Sequence, residues 1–448
     1  MNVRRFPLMV VLLVGLVVTG TVSALSPVVK PKTLPSALSV SGDAESTALF
    51  CTGLSSVRGG VAGRVTFINT TSSSRAVDVI MSSNTGARST RRLHIVGYGV
   101  QSLSPGSLSG QSFGVEGLVS GGGVVGVEVA SAHTAEAPCV STGVKNWYAT
   151  GFTTAVGSYA GLSIYNPTAT PAVLDVSTYS PSGFVAPAPY QGIAVAPHAQ
   201  VELNLGSQIV ATTNFGVHVN VLRGYVVAVG VQESGPVVSF NPGVTSAVST
   251  VLFPRVTTAN GASAQIRVSN PSGRAANVTL DIALAPYAVR PETLTVAPYS
   301  SGELTVTPNP AVPAAGYASV ELRTTQPLIT SLATGSGSNV ALSSPGATAR
   351  EFVIGDFYGQ GYDAAALTNT SEHPMNLNFT NLPGPGERTL QSSATLAGHT
   401  TRDIKYLYRR ALRHTTVLVT ASEPALQVTL TLPTNPIGMT VVSPLDGR

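Results

Sequence analysis

The residues of this chain that could carry chemistry are few and widely spaced. Its cysteines are Cys51 and Cys139. An even pair in an oxidising compartment is expected to form one disulfide, and the zinc alternative lacks the further Cys or His at ligand spacing that tetrahedral coordination needs. The histidines, His94, His133, His198, His218, His373, His399 and His414, are scattered along the sequence. No loop gathers the paired carboxylates that acid–base catalysis uses. The run Gly121-Gly122-Gly123-Val124-Val125-Gly126 matches the letters of a dinucleotide fingerprint. That fingerprint requires a helix whose N-terminus faces a pyrophosphate, whereas the alternation from Val124 to Ala130 reads as a strand, so a glycine-rich turn is expected instead. No catalytic residue, cofactor or metal is assigned, and the chain is read as a protein that is not an enzyme.

Positive charge concentrates at Arg88, Arg91 and Arg92, and again at Lys405, Arg409, Arg410 and Arg413, where Tyr406 and Tyr408 are interleaved. Basic side chains beside aromatic rings could contact a polyanion or a partner, and a solvated face is the other reading. The net charge of +4 is spread too thinly over 448 residues to track a phosphate backbone, so nucleic acid is not an expected partner.

A fourfold repeat must position these residues. The segment Gly63-Arg64-Val65-Thr66-Phe67-Ile68-Asn69 returns as Gly161-Leu162-Ser163-Ile164-Tyr165-Asn166 and as Ala264-Gln265-Ile266-Arg267-Val268-Ser269-Asn270, and more faintly as Ala364-Ala365-Ala366-Leu367-Thr368-Asn369. An alternating run follows each asparagine: Val77-Asp78-Val79, Leu174-Asp175-Val176, Leu280-Asp281-Ile282 and Leu377-Asn378-Phe379. Next comes a small-residue turn in which Tyr98, His198, Tyr299 and His399 take equivalent places. A place filled by either Tyr or His is expected to tolerate an exposed ring rather than to require a ligand or a base. The asparagines, two of them followed by Pro, are expected to end their strands in Asx turns, and Asp175 and Asp281 to face solvent.

Each repeat holds about seven short alternating runs separated by Gly, Pro, Asn or Ser, the rhythm of a β-sandwich. The composition agrees, with 45 Gly, 31 Pro and only 10% charged residues. The expected fold class is all-β, with tandem immunoglobulin-like β-sandwich domains after an N-terminal hydrophobic helix. The expected boundaries are 1–33 for the signal or anchor helix and spacer, then 34–145, 146–248, 249–346 and 347–448 for the sandwiches. One helical pattern runs from Arg402 to Arg413, and four sandwiches in tandem are expected to form a rod.

Arg4 and Arg5 precede an uncharged, Val- and Leu-rich run from Phe6 to Val29. The basic end should stay in the cytoplasm and the remainder be exported. Val22-Ser23-Ala24 suits cleavage while the run is also long enough to span a bilayer, so a secreted form and a form held by a single N-terminal anchor both stand.

Gly161-Leu162-Ser163-Ile164-Tyr165-Asn166-Pro167, taken with Tyr179-Ser180-Pro181-Ser182-Gly183, resembles the tandem β-sandwich repeats of an actinobacterial family of exported, membrane-anchored proteins of unknown function. The cysteine pair, Trp147 and the export segment fit that pattern. The last repeat departs from it, lacking Asn-Pro and inserting Pro383-Gly384-Pro385-Gly386. The resemblance implies a cell-envelope setting and transfers no activity. The expected function is a non-catalytic structural or binding protein of the bacterial cell envelope that contacts an envelope protein or cell-wall polymer, with the membrane reached through the N-terminal helix. A glycan-binding adhesin is the second expectation, against which 6% aromatics and a single Trp count. A hydrolase with a site between repeats is the third.

Overall fold

The structure, a computed structural model, describes residues 46–441 apart from 56–62, 107, 111, 131–134, 236, 257–262, 285–286, 289–290, 307–317, 337–338, 344–349, 355–364, 383–390, 399, 404–415 and 433–434. The expected export segment and spacer and the basic group from Lys405 to Arg413 therefore lie outside the described residues. Antiparallel strands make up nearly all of the described secondary structure, and the class is all-β as expected. Among the described residues no helix is long and apolar enough to cross a membrane.

The first sandwich comprises β1 (Ser46–Ser55), β2 (Arg64–Asn69), β3 (Arg75–Ser83), β4 (Arg88–Ile95), β5 (Val100–Leu103), β6 (Ser112–Ser120), β7 (Val124–Val129) and β8 (Glu136–Pro138). They form two sheets, β1-β6-β3-β4 and β5-β2-β7-β8. The period-2 alternation drives the arrangement: Val77, Val79 and Met81 of β3 point inward to meet Val65 and Phe67 of β2 in a dry core, while Asp78 between them stays outside. Gly121 and Gly123, with φ of 83° and 78°, turn the chain from β6 into β7, so the fingerprint-like run is a turn.

The second sandwich contains β9 (Asn146–Phe152), β10 (Ser158–Tyr165), β11 (Ala172–Ser180), β12 (Gly183–Val185), β13 (Ile193–Val195), β14 (Gln200–Asn204), β15 (Phe215–Arg223), β16 (Val227–Ser234) and β17 (Val237–Asn241). Its sheets are β12-β11-β15-β9, with β13 also on β11, and β14-β10-β16-β17. Trp147 is enclosed in this core, and its indole N–H donates to the carbonyl of Pro242 at 2.7 Å, which removes the cost of burying that donor.

The third repeat differs from a sandwich of two separate sheets. A single long strand, Ala318–Ser336, pairs first with Val248–Val256 and Ala276–Leu284, then with Ser263–Ser269 and Asn339–Ser343. In the first two repeats glycines break the equivalent path between β6 and β7 and between β15 and β16. Here Thr325-Gln326-Pro327 occupies that place and the strand continues through it. In the fourth repeat, sheets built on Met375–Leu382 and on Ala365–Asn369 enclose Phe352, Leu367, Phe379, Val419 and Val428. The helical pattern expected from Arg402 fails at its start, because Arg402 pairs with Leu367 within the strand Thr401–Asp403; the stretch from 404 onward lies outside the described residues.

The sandwiches belong to one compact unit. The second meets the third where Arg267 donates to the carbonyl of Gly151 at 2.7 Å. The third meets the fourth where the hydroxyls of Ser319 and Thr401 lie 2.8 Å apart. The fourth returns to the first, with Leu418 against the buried Ile68 and Val125. Ile68 and Val125 face away from the core of their own sandwich, and burying such residues against a neighbour favours that contact.

Candidate functional site

The two cysteines are joined, with Sγ atoms 2.02 Å apart and Cα atoms 4.6 Å apart. Cys51 lies in β1 and Cys139 directly follows β8, so the bridge ties the opening strand to the closing one. The adjoining residues Phe50 and Val140 exchange backbone hydrogen bonds of 2.7 and 2.9 Å.

Each repeat asparagine is fully buried and its side chain is occupied. The Nδ2 of Asn166 donates to the carbonyls of Thr170, Val195 and Ala196 at 2.8, 3.0 and 3.2 Å. Its Oδ1 accepts from the backbone N–H of Thr168 at 2.9 Å and from the Thr168 hydroxyl at 2.8 Å. Asn69 and Asn270 repeat this pattern, and Asn369 shares it with His373 and Leu396 as the carbonyl partners. The Asx turn is therefore real, but the amide also reaches across to clamp the next turn. In that turn Tyr98, His198 and Tyr299 adopt left-handed φ of 57°, 50° and 52°. Asp175, expected in solvent, accepts from the backbone N–H of Gly192 at 2.7 Å, and Asp281 lies 3.9 Å from Arg323.

The junction of the first and second sandwiches gathers ionisable groups that lie far apart in sequence. A bulge in β1 between Cys51 and Leu54 turns Thr52 and Gly53 toward the second sandwich. The Thr52 hydroxyl donates to Oε1 of Gln200 at 2.8 Å, and Gln200 Nε2 donates back to the Thr52 carbonyl at 2.9 Å. Gly53 N–H donates to the carboxyl of Glu128 in β7. Burial raises the pKa of that carboxyl from 4.5 to about 8, against the opposing pull of the Gly53 and Thr52 amides. Nearby, Glu116 of β6 accepts from the Tyr165 hydroxyl at 3.1 Å and lies 3.1 Å from His198 Nδ1. Burial, then the Glu116 charge, hold the Tyr165 phenol well above its ordinary value.

Arg88, one of the basic residues marked by the sequence, belongs to this junction. Its guanidinium donates to the carbonyls of Pro197 and His198 at 2.9 and 3.3 Å. Arg92 lies 3.6 Å from Asp78, and Arg91 is exposed on the same edge strand. Lys405, Arg409, Arg410 and Arg413 fall outside the described residues.

A second cluster escaped the sequence reading. On the outer face of the β12-β11-β15-β9 sheet, the rings of Tyr148 and His218 stack 4.1 Å apart at 8°. The His218 Nε2 lies 3.1 Å from Oδ1 of Asn146, and burial lowers the imidazole pKa to about 4, so the ring is neutral. Tyr179 meets Phe184 at 5.9 Å, and Phe184 meets Tyr299 of the third repeat edge-on at 6.2 Å. Tyr148 and His218 each occupy an outward place between core residues of their own strand, and that alternation was the signal available in the sequence.

No curated protein matches the chain. One solved structure, described as a tetra-tandem repeat in the extending region of a large adhesion protein, aligns over 81% of this chain and 96% of its own at 11% identity, with a TM-score of 0.12. Residues 129–239, running from the end of β7 through most of the second sandwich, match the model of DUF5719, a family of unknown function.

Proposed function

We propose that this chain is a non-catalytic structural or binding protein of the bacterial cell envelope, exported and displaying linked β-sandwiches to an envelope protein or a cell-wall polymer. The observation that carries this reading is the junction of the first two sandwiches. There Glu116, Tyr165, His198, Gln200 and Arg88 are engaged in joining one sandwich to the next. Ionisable groups used in this way rigidify an assembly. The disulfide supports an oxidising, extracytoplasmic setting. Retention by the N-terminal segment and an actinobacterial envelope are part of the same proposal.

Protease added to intact, wall-stripped cells should digest the repeats, and crosslinking in living cells should capture an envelope component. Full protection from protease would overturn the reading. A glycan-binding role is the second reading, favoured by the aromatic face beside Tyr299.

A further inference from the structure

We propose that the outer face of the β12-β11-β15-β9 sheet, flanked by Tyr299, binds a neutral polysaccharide strand. This rests on the binding role proposed above and names the class of polymer.

Strand register builds the face in rows. Phe184 lies opposite Tyr179; one row along, Ser177 lies opposite His218 and His218 opposite Tyr148; one further, Asp175 lies opposite Asn220 and Asn220 opposite Asn146. Aromatic rings thus occupy one end of the face and hydrogen-bonding amides the other. With strands about 4.8 Å apart and alternate residues about 7 Å apart, the face measures roughly 14 Å each way, which suits a short run of sugar rings.

Sugars present C–H patches on their ring faces and hydroxyls around their rims. The negative face of an aromatic ring attracts such C–H groups, while amides and a carboxylate take the hydroxyls. Phe184 and Tyr299 are 52% and 46% exposed, a large apolar area to leave in water on a chain with 6% aromatics. Tyr179 beneath them is buried, which fixes the Phe184 ring in place. The charge on the face argues against other occupants. Within these three rows Asp175 is the one charged residue and His218 is neutral, while Arg223, exposed opposite Val173, stands one row beyond the amides, so the rows themselves offer a polyanion no cation. The amides of Asn146 and Asn220 would be desolvated without gain against a lipid surface. The place is also a junction between two repeats, where ligand sites commonly form.

The test uses the exported chain with its disulfide intact and two probes: cell-wall polysaccharide stripped of protein and lipid, and soluble N-acetylglucosamine oligomers. The wild-type protein should cosediment with the wall polysaccharide and be displaced by the oligomers. Phe184→Ala and Tyr299→Ala should each weaken binding about 3- to 10-fold, the range a single ring contact supplies. Asn220→Ala, which removes no apolar contact, should weaken it as well. Binding should be nearly unchanged between about 0.05 and 0.5 M salt, because no ion pair carries it.

Failure of the wild-type protein to bind either probe would overturn the inference, as would unchanged binding by the Phe184→Ala, Tyr299→Ala double variant with an unaltered melting temperature. Binding lost in salt and on Arg91→Ala would place the contact on the basic edge and also overturn it. Capture of an envelope protein alongside a failure to bind polysaccharide would remove this inference and leave the envelope role standing.

Discussion

Nδ1 of His198 lies 3.1 Å from Oε2 of Glu116, although the histidine belongs to the second sandwich and the glutamate to the first. The Tyr165 hydroxyl donates to the same oxygen at 3.1 Å. Glu116→Ala would leave both partners at a largely closed junction without their acceptor, an expected cost of about 1–3 kcal/mol. Calorimetry should show a lower unfolding midpoint for Glu116→Ala and a smaller change for Glu116→Gln, which keeps an acceptor. Equal midpoints for wild type and Glu116→Ala would show that the contact contributes nothing to stability.

Glu128 makes stability depend on pH at the same junction. Its carboxyl ordinarily releases its proton near 4.5 but in the fold keeps it to about 8. Between those values the native state binds more protons than the unfolded state, so stability falls as pH rises. His218 acts the other way at lower pH, since the fold rejects its proton from 6.5 down to about 4. The two slopes oppose each other between about 4.5 and 6.5, leaving a net loss of about 2 kcal/mol from pH 6.5 to 8. Urea denaturation at those two pH values should show this loss in the wild type and not in Glu128→Gln. The same loss in both proteins would assign it to another group.

The Cys51–Cys139 bridge closes a loop of 88 residues. Its removal should destabilise the first sandwich by at most about 4–5 kcal/mol, mainly by freeing the unfolded chain. Intact mass after thiol alkylation, with and without reductant, gives the bonded state directly. Two alkylated thiols in the unreduced exported protein would show the bridge absent there.

Asn166→Ala should cost about 1–3 kcal/mol, because the carbonyls of Thr170, Val195 and Ala196 lose their donor in a buried site. Asn166→Asp should cost more, since it keeps the Asx acceptor but places a carboxylate beside those carbonyl oxygens. Thermal unfolding of the three proteins at one pH orders them, and an aspartate variant as stable as wild type would contradict the geometry described.

The sequence carried the repeat asparagines and the strand alternation because both are local patterns with a fixed period. Asn69 and Asn166 could be read as strand ends without knowing what they touch. The amide's reach to the next turn, 26 residues on from Asn69 to Ile95, needed the fold. Arg88 looked like a surface cation because its carbonyl partners, Pro197 and His198, come from the next repeat. The aromatic face was hidden for the same reason. Tyr148, Tyr179, Phe184 and His218 meet only through cross-strand register, and Tyr299 joins them from another repeat. The continuous strand Ala318–Ser336 had no local mark either, since Pro327 in its middle reads as a breaker.

The disulfide sets how this chain would answer a pull on its two ends. Tension entering at β1 passes through the Cys51–Cys139 bond and leaves after β8, so the strands between carry none of it. At about 3.5 Å per extended residue, the 88-residue loop is roughly 300 Å of slack that stretching cannot draw out while the bond is intact. Under oxidising conditions the first sandwich is thus a short, inextensible link, and a reductant makes that slack available to a pull.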